Sequence, residues 1–270
     1  MQSVASQIPP QFSPVETRSG GGSVAYAADA DTQRRGANLA VAPLTGRIGA
    51  LVHGVHLAHD LAPAAIAAIR GALVRYKVLF FRNQQDLDDA GQRALAQCWG
   101  SPVEGNRADL GIERFYPRVT ILRTAGTSCA GRETAWADTA AAYDELPSPL
   151  RTLVDGLWTI RADPDPPTEH PLVWMHPETG ERALVAGRFV EHVVGFNDQD
   201  GEHLLAVLRD HITRLENIVR WCWQVGDVAI WDNRTAQHDA IGELPDLRCI
   251  AVAGEVPVSV DGRRSRLRSG

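Results

Sequence analysis

The spacing of apolar residues changes along the chain, from a helical period in the first half to short strand-like runs in the second. Pro63–Tyr76 places Ile66, Ile69, Leu73 and Val74 at helical spacing behind a first-turn proline, which predicts a helix. Val78–Phe81 follows at once as a continuous apolar run, the pattern of a short buried strand. Asp88 can cap a second helix that carries Leu95 and ends near Gly100. Asp138 or Thr139 can cap a third, broken by Pro147-Ser148-Pro149 before residues 150–157 resume it. Residues 46–57 are apolar and β-branched but broken by glycines, which suits a bent strand or hairpin. Later, residues 183–185, 219–223, 227–231 and 249–256 are short β-rich runs between Gly, Pro and Asp turns, interrupted by a helix at about Asp198–Ile212. The expected class is mainly β with flanking helices, a sandwich or barrel with helices packed outside.

Composition sets the boundaries of this picture. Residues 1–43 are rich in Ser, Gly, Ala, Gln and Pro without either period, and are expected to be a disordered leader before a domain at 44–258. Arg263, Arg264, Arg266 and Arg268 make 259–270 an expected basic, flexible tail. A net charge of −6 argues against nucleic acid or an anionic membrane as the main partner. No run of about 18 apolar residues would span a bilayer, and no secretory signal opens the chain. Four scattered cysteines without C-x-x-C spacing fit a reducing cytoplasm better than a disulfide framework or zinc knuckle. No G-x-G-x-x-G follows a strand to suggest a dinucleotide site.

Chemistry concentrates in the run WDNRTAQH, residues 231–238. A buried strand leads into a polar turn, and His238 lies a few residues past the expected strand end, where a neutral imidazole at a barrel mouth could ligate a metal. His53, His56 and His59 also repeat at intervals of three. On a strand that interval sends neighbours to opposite faces, which disfavours a metal site there.

The run 231–238 resembles the distal-histidine motif of the TauD/TfdA family of Fe(II)/2-oxoglutarate dioxygenases. GRIGALVHGVHL from Gly46, VLFFRNQ from Val78, GRETAWADTAAAYDELP from Gly131 and TEHPLVWMHPETGERAL from Thr168 follow the same family in order. The likeness is greatest to members that cleave alkyl sulfates. It implies a double-stranded β-helix, or jelly roll, together with Fe(II) and 2-oxoglutarate. Such enzymes hold the metal with a His-x-Asp pair and a distal histidine. Three protein ligands on one face leave positions for a chelating 2-oxo acid and for oxygen.

The His-x-Asp pair is absent from its expected place. Alignment through Tyr116-Pro117 to Thr134 puts Asp109 at the carboxylate ligand and Arg107 at the first histidine. A guanidinium has no lone pair to donate and stays protonated. Beside a dication at roughly 4 Å and an effective dielectric near 20, each unit pair would cost about 4 kcal/mol. Thr134 matches the family threonine that hydrogen-bonds a 2-oxoglutarate carboxylate, and Arg248 resembles the arginine that clamps the far carboxylate. The passages from Gly100 to Asn106 and from Ile160 to Thr168 are shorter than the family's, the second where relatives carry a lid-like segment.

Two functions are therefore expected. One is a dioxygenase hydroxylating a small anionic substrate such as an alkyl sulfate or sulfonate, with Asp109 and His238 on iron and Thr134 and Arg248 on 2-oxoglutarate. The other is a catalytically impaired relative that binds an anion or a partner subunit without turnover. A homo-oligomer is compatible with either.

Overall fold

Helices form where the apolar spacing and caps called for them. The computed structural model describes residues 39–58, 61–103, 117–126, 132–161, 167–241 and 246–268, all within the unit Arg35–Gly270. The first strands among the described residues are β1 (Ala40–Pro43) and β2 (Ala50–His53). Helix α1 (Pro63–Tyr76) buries Ala65, Ile69 and Leu73, and Lys77 ends it by donating its N–H to the Leu73 carbonyl. β3 (Val78–Phe81) follows directly, all four residues buried. The Asp88 carboxylate accepts from the Gly91 N–H to start α2 (Asp89–Gln97), which stops three residues short of Gly100. Then come β4 (Pro102–Val103), β5 (Val119–Thr124) and β6 (Glu133–Asp138). Asp138, rather than Thr139, caps α3 (Thr139–Asp144), accepting from the N–H groups of Ala140 and Ala141. The proline step at 147–149 ends that helix and begins α4 (Ser148–Val154). β7 (Trp158–Arg161), β8 (Thr168–Pro171), β9 (Val173–Met175), β10 (Arg182–Leu184) and β11 (His192–Val193) precede α5 (Asp198–Ile212). The remaining strands are β12 (Ile218–Cys222), β13 (Val228–Asp232), β14 (Ala236–Ile241), β15 (Leu247–Val252) and β16 (Arg266–Leu267).

Two sheets make the jelly roll that frames the site. The larger has the order β1-β2-β3-β13-β5-β15-β4, and the smaller β12-β6-β14. Strand alternation sorts the apolar side chains into two layers. Leu79, Phe81, Ile121, Val228 and Ile230 pack on the outer face against Ile69 and Leu73 of α1 and Leu95 of α2. Val78, Phe80, Leu122, Ala229 and Trp231 turn the other way and meet Trp136, Val219 and Trp221 of the smaller sheet, with Trp223 just beyond β12. Where the chain passes closest, Gly49 (φ +88°) would place a Cβ 2.9 Å from Val219, so glycine is required both sterically and conformationally.

A further sheet, β11-β7-β8-β16, gives the C-terminal segment a place that composition did not suggest. β16 pairs with β8, and Arg266 forms a 2.8 Å ion pair with Glu169. The guanidiniums of Arg263 and Arg266 lie over the Trp158 ring, 5.1 and 5.7 Å from its centroid. The flexible tail expected over 259–270 is thus held as far as Arg268, because an aromatic face and a carboxylate await two of its cations. No helix among the described residues is long and apolar enough to cross a membrane. The expected leader at 1–43 lies almost wholly outside the described residues.

Candidate active site

The run 231–238 is built as a crossover between the two sheets. β13 belongs to the larger sheet and β14 to the smaller, so the three residues 233–235 must carry the chain across. Their polar groups are consumed in making that turn. The Asp232 carboxylate accepts from the Arg234 backbone N–H at 2.9 Å and from its guanidinium at 2.8 and 2.6 Å, and lies 3.1 Å from His176 Nε2. Burial works to raise the Asp232 pKa. The Arg234 and His176 contacts outweigh it and hold the group down to about 2. Trp174 Nε1 donates to the Arg234 carbonyl, Trp231 Nε1 to Asn233 Oδ1, and Asn233 Nδ2 to Thr120 Oγ1.

His238 lies past the end of β13, as the sequence suggested, but within a second strand, β14, opposite Trp136 of β6. The turn is short because its side chains satisfy its own backbone, so pairing resumes by Ala236. Paired residues of an antiparallel ladder share a face. His238 and Trp136 thus face inward, and so do Thr134 and its cross-strand partner Trp221. The His238 ring lies 4.6 Å from Trp231 and 6.5 Å from Trp136, centroid to centroid, and is half-buried. Thr134 is buried two positions along, its Oγ1 accepting from Trp223 Nε1 at 2.9 Å. The indole N–H of Trp136 is buried with no acceptor among the described residues. These tryptophans escaped the sequence reading, although the spacings Thr134-x-Trp136 and Trp221-x-Trp223 are those of single strand faces.

Arg248 is not brought to this site. In β15 it pairs with Arg123, whose guanidinium faces outward to Asp89 and Gln92 of α2. Arg248 shares that outer face and is exposed, while Gln92 Nε2 donates to its carbonyl. The inward positions of β15 are Leu247, packed against the tryptophan cluster, and Cys249, opposite Leu122. The Arg248 expected to clamp the far carboxylate thus lies on the face of β15 opposite to Leu247 and Cys249, since successive residues of a strand face opposite ways.

Arg107 and Asp109 lie outside the described residues, as does His59; His53 and His56 are exposed. Among the described residues no three His, Cys, Asp or Glu side chains gather as a metal cage. The inner face thus supplies one imidazole suited to a metal and, in the Thr134 hydroxyl and the orphaned Trp136 N–H, two groups suited to an anionic acceptor. The open clefts elsewhere are separate from it. One, of about 390 Å³, is lined by self-compensating charges including Lys77, Glu181, Arg47 and Glu145; the other, of about 470 Å³, lies beside Ile66 and Arg70 of α1.

The sequence matches the model of the taurine catabolism dioxygenase TauD, TfdA family over residues 40–115 and 105–248. The two stretches meet at the segment that contains Arg107 and Asp109. An α-ketoglutarate-dependent sulfate ester dioxygenase of Pseudomonas putida is 44% identical over 282 residues, covering 84% of this chain and 94% of that protein. An alkylsulfatase of Acinetobacter baylyi is 35% identical, covering 83% and 87%. A solved taurine dioxygenase from Burkholderia xenovorans superposes with a TM-score of 0.78 at 37% identity, covering 86% of this chain and 97% of its own.

Proposed function

The chain belongs to the TauD/TfdA family of Fe(II)- and 2-oxoglutarate-dependent dioxygenases, and on that premise we propose that it oxidises a small organic sulfate ester. The observation that carries this reading is the placement of His238 and Thr134 two positions apart on one inward face. In the proposed reaction one atom of O₂ enters succinate as 2-oxoglutarate loses CO₂. The other is inserted at the carbon bearing the ester oxygen. The resulting hydroxylated ester collapses to an aldehyde and sulfate. The chemistry that Fe(II) would supply when held here is chelation by the 2-oxo acid and activation of oxygen. His238 and Asp109 would hold the metal, the third ligand coming from water or an unidentified side chain. Thr134 would donate to a 2-oxoglutarate carboxylate, and the wall of tryptophans would exclude water. Arg248, on the opposite face, has no part in this scheme.

The likeness to two sulfate-ester-cleaving relatives supports this substrate class, and the sulfonate named for the solved neighbour is the nearest competitor. A single catalytic domain over 44–258 is part of this reading. The second reading, an anion- or partner-binding relative without turnover, rests only on the alignment that puts Arg107 at a ligand position.

The deciding experiment incubates the protein with Fe(II), ascorbate, 2-oxoglutarate and a medium-chain alkyl sulfate, and measures sulfate and succinate. Equal yields of the two are expected. Succinate without sulfate would reject the substrate class. Neither product, together with no visible charge-transfer band under anaerobic loading, would establish the second reading instead.

A further inference from the structure

We propose that Trp223 is a positioning residue of the cosubstrate pocket, its indole N–H fixing the Thr134 hydroxyl as a donor toward a bound carboxylate. This inference rests on the reading of Thr134 as a 2-oxoglutarate contact.

Thr134 lies in the central strand of the smaller sheet, with β12 on one side and β14 on the other, so both ladders occupy its backbone. Its side chain is buried among indoles. Trp221 is its cross-strand partner, Trp136 follows on the same face, and Trp223 Nε1 lies 2.9 Å from Oγ1. An indole nitrogen donates and never accepts. The 2.9 Å contact therefore has one polarity, with Oγ1 receiving the proton. A hydroxyl has a single proton and two lone pairs. Trp223 takes a lone pair, and no hydrogen bond among the described residues uses the proton. A threonine in a strand commonly turns its hydroxyl back to nearby backbone. Here Trp223 holds the oxygen and leaves the proton for an incoming acceptor.

Trp223 is itself well anchored. It is fully buried, its backbone N–H donates to the Arg132 carbonyl at 2.8 Å, and its ring lies 6.3 Å from that of Trp136. The orphaned N–H of Trp136 adds a second donor to the same wall. Two donors side by side, the Thr134 hydroxyl and the Trp136 N–H, suit a ligand that is acceptor-only, which an ionised carboxylate is. The indole acts through Thr134 and need not touch the ligand.

The test is a double-mutant cycle read by anaerobic calorimetric titration of 2-oxoglutarate into the full chain loaded with Mn(II). Trp223→Phe, which keeps an aromatic ring and removes the N–H, should weaken binding about fivefold. Thr134→Val should weaken it about tenfold. In the Thr134→Val background Trp223→Phe should cost nothing further, whereas Thr134→Ser should bind within about twofold of the unaltered protein. Losses that simply multiply in the double variant would overturn the positioning role and leave the Thr134 contact standing. An unaltered protein that fails to bind 2-oxoglutarate would instead overturn the cosubstrate reading and this inference with it. A second measurement needs no folded Trp223 variant. The indole ¹⁵N–¹H resonance displaced by Thr134→Ser should also respond to 2-oxoglutarate in the unaltered protein, and a silent resonance would count against the proposal.

Discussion

Asp232 shows how a residue that marks a family in sequence can owe its place to structure. Its carboxylate is buried, yet Arg234 and His176 hold its pKa down to about 2, so it stays charged and ties the crossover turn together. Removing the guanidinium strands a buried charge, which typically costs 3–5 kcal/mol. Arg234→Leu should accordingly lower the urea midpoint by about 3 kcal/mol in stability, far more than a surface arginine would. The lowered pKa also fixes a sign. The contribution of Asp232 is complete above its unfolded pKa near 4 and is lost as pH falls through about 2, about 2.5 kcal/mol in all. At Arg248 the expectation runs the other way. Its outward face predicts that Arg248→Ala leaves 2-oxoglutarate affinity within twofold, and a loss of tenfold or more in titration would refute the register of β15.

Elements differ in how much of their geometry is local. α1 and α5 begin and end at the residues their own signals select, Pro63 in the first turn of one and Asn197 capping the other. β6 and β14 were read as motif strings rather than strands, since Thr134, Trp136 and His238 gain their common face only when the two pair. β16 depends still more on tertiary contact. His170 of β8 is hydrogen-bonded through Nε2 to Thr168 Oγ1 at 2.9 Å and through Nδ1 to Ser265 Oγ at 2.8 Å, just before β16. Burial, with the nearby Arg161 cation, pushes its pKa down to about 4. Between pH 6.5 and 4 the unfolded chain takes up a proton that the folded chain refuses. Stability should therefore fall over that window by about 3 kcal/mol, and His170→Gln should remove the slope in equilibrium unfolding. Deleting residues 259–270 should lower the melting midpoint by several degrees and abolish the same slope, because the ring then meets water.

At the scale of the whole molecule the described residues form the two sheets of the family's jelly roll, and the metal site decides activity. The inner face supplies His238 and its donors, while the alignment proposed above would put Arg107 where the His-x-Asp pair supplies an imidazole. Arg107→His should therefore strengthen Fe(II) binding by at least tenfold and intensify the visible band of the anaerobic 2-oxoglutarate complex. Tight binding and a strong band in the unaltered protein would show that Arg107 does not occupy the ligand position. A variant indistinguishable from the unaltered protein would show the same alignment to be wrong from the other side.

The sequence by itself determined the family, the mainly β class, the principal helices and caps, and His238 and Thr134 as candidate site residues. Those follow from short-range spacing and from motif order, which survive without coordinates. Only the tertiary structure decided the facing of β15, the enclosure of His238 and Thr134 by tryptophans from β6, β12 and β13 and from Trp223, and the docking of β16. Each of these depends on which strand lies beside which and in what register, and a single residue of slip turns a candidate ligand to the opposite face.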